Sequence, residues 1–301
     1  MAETLGFLLA PITASVILAG MLSYFGNHIL TRGIIFIDIA LAQIAALGTM
    51  IGLLLGFAEG SLSVELVSLA FTLLVITVFA LTKFEKQVIP QEAIIGIIYG
   101  LGLGLAMLLA ERISGGSNYI TKTITGNILW VTWDMILHCA VIFAVIAVIH
   151  FLFRRPFIRI SESKSSLPYS IRKVRLYELV FYLTFGIVVV RAVTVGGIFL
   201  IFVLLIAPTA MATLFTRKWS LRFLWSWIIG VIGSVAGIVL SYQLNISNGP
   251  AIVCLLGLGV FFLVFVKMIL SSGRSRSVGS PEKIPLPAGA QSEKVSKKGA
   301  K

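Results

Sequence analysis

Charge is scarce in this 301-residue chain: Asp, Glu, Lys and Arg make up 12% of it, about half the fraction of an ordinary water-soluble domain. Together with 58% hydrophobic residues and a mean hydropathy of +1.04, that scarcity excludes a soluble fold and leaves little room for a fused enzyme domain. Cysteine is nearly absent. Cys139 and Cys254 both lie in apolar runs, so neither a disulfide framework nor a cysteine-rich zinc site is expected, and both read as small core residues. The three histidines are too dispersed for a histidine box. No G-x-x-x-x-G-K-[ST] loop, H-E-x-x-H or G-x-S-x-G occurs, so a pump built on this chain takes its ATPase from another chain. The start Met1-Ala2-Glu3-Thr4 lacks a positive n-region, which reads against a cleaved signal peptide.

What is present is apolar length. Runs bounded by charge or by Gly, Pro or Asn cover 5–25, 33–57, 62–82, 92–113, 133–153, 176–190, 194–215, 221–243 and 249–269. The expected fold class is an all-α polytopic membrane bundle of about eight to nine spans, at roughly 20 residues each. The runs are too long and too little alternating for strands. The sixth is short and is parted from the seventh by Arg191 and Gly196-Gly197, so one of the two is expected to be a half-helix or broken segment.

The net charge of +12 is distributed unevenly. With the N-terminus outside and the runs alternating, 21 of the 24 Lys and Arg fall inside, leaving Arg112, Lys122 and Arg191 outside. The positive-inside rule therefore predicts N-out, C-in, and the excess charge reports orientation, not nucleic-acid binding. Residues 1–270 read as the membrane domain. Residues 271–301, rich in Ser, Gly, Pro, Lys and Arg, read as a disordered basic cytoplasmic tail near anionic lipid headgroups. Gly48, Gly52 and Gly56, then Gly96, Gly100 and Gly104, then Gly233 and Gly237 recur every four residues, which predicts close helix packing.

Ionisable groups inside apolar runs are costly and therefore informative. Asp38 stands about six residues into the second run, and Gln43 lies about 140° round the helix from it. Asp38 either faces a central path and meets a cation, or pairs with a neighbouring helix or caps broken backbone. Glu92, after Pro90, suits a helix first turn on dipole grounds; Asp38, Gln43 and Glu92 are the candidates for a translocation path. Asp134 and His138, four apart, could give two ligands to Zn²⁺ or Mn²⁺, the alternative being a capped helix start at Thr132-Asp134. His150 is expected at the interface, and Arg191 to pair with an acid or meet a docking protein. The Arg154–Arg175 loop carries seven basic residues. Either these charges only set topology, or the piece Tyr169–Arg175, with Arg172, Lys173 and Arg175, forms a short amphipathic helix lying along the membrane or docking into a cytoplasmic motor.

The ordered set of motifs resembles a known family. Leu30-Thr31-Arg32-Gly33-Ile34-Ile35-Phe36-Ile37-Asp38 through Gln43 to Gly48 is similar to the second-helix segment of the ABC-3 permeases, the membrane subunits of zinc, manganese and iron ABC importers. Gln91-Glu92-Ala93-Ile94-Ile95-Gly96-Ile97, Thr125-Gly126-Asn127-Ile128-Leu129, Val195-Gly196-Gly197 through Pro208-Thr209-Ala210-Met211-Ala212, and Ser247-Asn248-Gly249-Pro250 follow in the family's order, so that the resemblance covers roughly residues 10 to 268. It implies a bundle like the type II ABC importer permeases, not itself an enzyme, in the bacterial inner membrane. It further implies a homodimer around a path, a separate cytoplasmic ATPase that uses the ATP, an extracytoplasmic metal-binding protein, and no cofactor bound by this chain. The Arg154–Arg175 loop would be the ATPase-coupling loop, and Zn²⁺ or Mn²⁺ the cargo. One departure matters: the family's Asp-x-x-x-His pair falls here on Ile39 and Gln43, with Asp38 one residue early. Gln is a poor Zn²⁺ ligand beside His, so either the ion passes without a strong site or the cargo differs. A secondary transporter is an alternative that would show inverted repeats, and a permease for a metal chelate or siderophore is another.

Overall fold

Along the apolar runs the backbone has no polar partner but itself, and the α-helix satisfies it within one segment. The computed structural model describes residues 2–81, 89–126, 128–163 and 169–275; Lys83, Lys86, Asn127, Lys164 and residues 276–301 lie outside the described residues. Among the described residues the helices are α1 (Ala2–Arg32), α2 (Ile37–Leu54), α3 (Leu62–Leu81), α4 (Gln91–Ala110), α5 (Gly116–Thr125), α6 (Trp133–Leu152), α7 (Arg154–Glu162), α8 (Ile171–Phe215), α9 (Trp219–Leu244) and α10 (Asn248–Ser275). Eight of them are long and apolar enough to cross a membrane, all except α5 and α7. Two compact units divide the chain, Met1–Phe261 and Phe262–Lys301; the described part of the second is the helical end of α10, to Ser275.

The 45-residue α8 makes two passes. At Gly197 the backbone leaves helical geometry, with φ 78° and ψ 165°. Phe25 of α1 packs on Phe185 at 5.2 Å between ring centroids, while its neighbour Gly26 lies against Leu205 and Thr209. A straight helix would put Phe185 and Leu205 about 30 Å apart, so the chain turns back at Gly197. Neither arm is a half-helix: the first begins at Ile171, one turn before the apolar run suggested, and lysine and arginine occupy that added turn.

Two ends follow from the contacts. The basic end gathers Arg32, α7, the first turn of α8 and Arg217. The far end gathers the start of α3, α5, Trp130, the Gly197 turn and the start of α10. Exposed Trp130 and Trp133 sit at the far end, with Trp130 edge-on to Phe7, as aromatic residues do at a membrane interface.

At the centre lies α2, 78% buried against 22% for α4. Its closest neighbour is α3, admitted by glycine: a Cβ on Gly48 would come within 2.7 Å of the Ser68 Cα, and one on Gly52 within 3.3 Å of the Val64 Cα. Gly233 and Gly237 likewise accept Leu256 and Ile252. The α4 stripe behaves otherwise. Among the described residues, Gly96, Gly100 and Gly104 have no atom within 4 Å of an added Cβ, because α4 meets α2 through Gly102, on another face. Gly56 belongs to the turn ending α2 (φ 86°), not to the stripe. Cys254 is exposed, unlike buried Cys139.

Candidate functional site

Three of the recognised motifs converge at the far end. Gly126 lies against Gly196 and Gly197 so closely that a Cβ on any of these would enter the other's backbone or a packed side chain, and Gly249 lies on the Thr125 carbonyl. Gly126 and Gly197 also have positive φ, at 68° and 78°, where side chains are strained. Beside this junction is a cavity of about 440 Å³, lined by Ala45 and Thr49 of α2, Ser68 of α3, Thr123 of α5 and Thr194 of α8. Arg191 stands nearby on α8 and donates from Nη1 to Glu65 Oε2 of α3 at 2.8 Å, so the expected acidic partner of Arg191 is Glu65.

From the cavity α2 descends past Gln43 to Asp38. Gln43 is buried against Gly102 of α4. Asp38 is 2% exposed, and its Oδ1 has no hydrogen-bond partner. Its depth differs from expectation. Gly33 takes positive φ (69°) and residues 33–36 form a turn, so α2 begins at Ile37 and Asp38 lies in its first turn, at the basic end. The apolar letters Ile34-Ile35-Phe36 concealed that turn. Glu92 meets the same turn from α4: the Ile35 amide donates to Glu92 Oε1 at 2.7 Å, while Oε2 is buried without a partner. Two carboxylates thus flank one four-residue turn, each with an unused oxygen.

The other candidate pairs resolve differently. Asp134 and His138 sit together at 3.4 Å, both exposed, and Thr132 caps their helix by accepting from the Met135 amide at 3.3 Å. No group of three or more His, Cys, Asp or Glu that could hold a metal occurs among the described residues. His150 is not interfacial: it is buried, bonded through Nδ1 to the Tyr24 hydroxyl (3.1 Å) and through Nε2 to that of Thr184 (2.7 Å). Arg172, Lys173 and Arg175 are exposed, but they belong to the first turn of α8 and not to a separate helix. The short amphipathic helix of that loop is α7, with Phe157, Ile160 and Ser161 buried and Arg154, Arg155 and Arg159 exposed. Sequence reading missed α7, although its apolar residues at 157 and 160 keep helical spacing between arginines.

A bundle of eight long apolar helices, with buried Asp38 on the central α2, Glu92 of α4 beside it and exposed basic residues at one end, has the make-up of a polytopic membrane transport subunit. The model of the ABC 3 transport family matches residues 4–268, and the chain belongs to that family; it is a transport component, not an enzyme. Relatives are distant. A probable metal transport system membrane protein of Chlamydia muridarum is 23% identical, over 64% of this chain and 66% of that protein. The manganese import system permease protein ScaB of Streptococcus parasanguinis is 28% identical, over 79% of this chain and 82% of ScaB. Across three chlamydial relatives the match spans 66%, 62% and 64% of their length. The fold is that of a chain in PsaBC from Streptococcus pneumoniae in complex with Fab, with a TM-score of 0.72 at 20% identity, covering 87% of this chain and 93% of that one.

Proposed function

We propose that this chain is the permease of an ATP-driven importer of divalent metal ions, with Mn²⁺ as its foremost cargo. The carrying observation is the donor chemistry along α2 and at the start of α4. The polar groups placed on the route, Asp38, Gln43 and Glu92, offer oxygen and one amide, with no histidine or thiolate. Oxygen donors suit Mn²⁺, whereas Zn²⁺ favours nitrogen and sulfur. The manganese named in the description of ScaB agrees with this choice.

In this reading the far end faces outward, where a metal-binding protein delivers the ion to the cavity. The ion passes Gln43 and leaves between Asp38 and Glu92. A second copy of the chain packs against the open glycine face of α4, which none of the described residues fills. Residues 1–270 are the permease domain in this reading; the expected tail boundary at 271 falls inside α10, which runs to Ser275, and residues 276–301 lie outside the described residues. The ATPase meets the basic end. Arg172, Lys173 and Arg175 crowd a helix N-terminus, where cations oppose the dipole, and acidic groups on a motor would offset that cost.

Uptake of Mn²⁺ and Zn²⁺ by cells lacking their own importers, with and without this chain and its ATPase, tests the reading. Mn²⁺ uptake that needs both proteins and is outcompeted weakly by Zn²⁺ is expected. Uptake driven by a proton gradient without ATPase would favour a secondary transporter instead.

A further inference from the structure

The last two residues of α7 are tied into the bundle by side chains that the transport reading does not use. Ser161 Oγ lies 2.8 Å from His28 Nδ1 and accepts from Arg32 Nε at 2.9 Å, both on α1. Arginine can only donate, so the serine hydroxyl accepts from Arg32, while the direction of its bond with His28 is set by the imidazole tautomer. The next residue, Glu162, accepts from the indole Nε1 of Trp219, at the start of α9. The circuit closes on itself, because the His28 and Trp219 rings are 4.7 Å apart. The Arg32 guanidinium is further fixed by stacking 3.8 Å over the Phe181 ring of α8.

Position makes this clasp more than a fastening. Arg32 is the last residue of α1, and the turn after it, 33–36, is held by Glu92 and leads into Asp38. A displacement of α7 reaches Arg32 through one hydroxyl, and the turn that follows Arg32 is flanked by both carboxylates of the route, Glu92 bonded to its Ile35 amide and Asp38 two residues past its end. Hydrogen bonds to a guanidinium are directional and stronger than neutral ones, which suits a link that must pull as well as push.

We propose that the Ser161–Arg32–His28 clasp couples α7 to the turn bearing Asp38, making Ser161 a positioning residue that transmits ATPase movement to the exit of the path. The inference rests on the proposed function, since it needs α7 to move with a motor. Two measurements on Ser161→Ala separate the parts. Hydrogen exchange of the purified chain reads the clasp alone, and amides of 154–162 are expected to exchange faster. In proteoliposomes holding the chain with its co-purified ATPase, with Mn²⁺ as probe, hydrolysis persists while uptake per ATP falls about tenfold, the scale of one charge-assisted hydrogen bond. Combining Ser161→Ala with Arg32→Gln adds little beyond either change, because both break one link. Unchanged exchange at 154–162 overturns the clasp, and hydrolysis and uptake falling in equal proportion overturn its coupling role. A wild-type chain that neither binds an ATPase nor moves Mn²⁺ overturns instead the reading beneath it.

Discussion

Asp38 and Glu92 present the same chemistry at two different helix starts, and substitution separates what each does. Asp38 has a buried oxygen with no partner, a costly arrangement unless something polar visits it. Asp38→Asn removes the charge at nearly constant volume. It is expected to lower Mn²⁺ uptake at least about tenfold while the amount of folded protein in the membrane stays level, a tenfold change corresponding to about 1.4 kcal/mol of ion stabilisation. Equal uptake in a transport assay would return Asp38 to a purely structural role. Glu92 carries two functions that two variants distinguish. Glu92→Gln keeps an acceptor for the Ile35 amide, so the melting temperature holds while uptake falls. Glu92→Ala orphans that amide and lowers both, with a stability cost of about 1–3 kcal/mol.

The break in α8 is an element-scale device. Gly197 has a positive φ and its Cα faces the Gly126 backbone, so Gly197→Ala meets a forbidden conformation and a backbone clash together. The expected result is loss of folded, membrane-inserted protein on expression, whereas Gly100→Ala, on the open face of α4, is silent by the same measure. The elements show what the residues alone could specify. The long helices were legible because hydrocarbon demands unbroken apolar runs of about 20 residues, whereas the pairing of Gly126 with Gly196-Gly197 was not, because a sequence marks glycines without saying which segments meet. The Gly33–Phe36 turn was not legible, because its residues after glycine are as apolar as the helix they interrupt. Nor was α7, which is held by Phe157 packing against His150 of α6 and Tyr177 and Phe181 of α8 and not by its polar sequence. The α4 stripe illustrates the same limit. Spacing marks a face as small, while only the fold says whether a neighbour comes to it.

At the scale of the whole molecule, the open α4 face predicts self-association. A Cβ at Gly100 has no described residue within 4 Å, so Gly100→Leu should leave the isolated fold intact and lower the cross-linked dimer fraction in membranes. An unchanged dimer fraction would place the partner copy elsewhere. The exposed basic residues of α7 and of the first turn of α8 predict a salt-sensitive union with the ATPase, weakened by reversing Arg172 and Lys173 to glutamate and measured by co-purification at rising salt.

The central claim is that oxygen groups on α2 and its turn pass a divalent cation under the drive of a separate ATPase. Mn²⁺ uptake into proteoliposomes containing this chain, its ATPase and a metal-binding protein, with ATP supplied to the ATPase face, tests it most directly. The account predicts uptake that stops when ATP or the ATPase is withheld and that drops in Asp38→Asn. Uptake indifferent to ATP, or none for any divalent metal in the complete assembly, would contradict it.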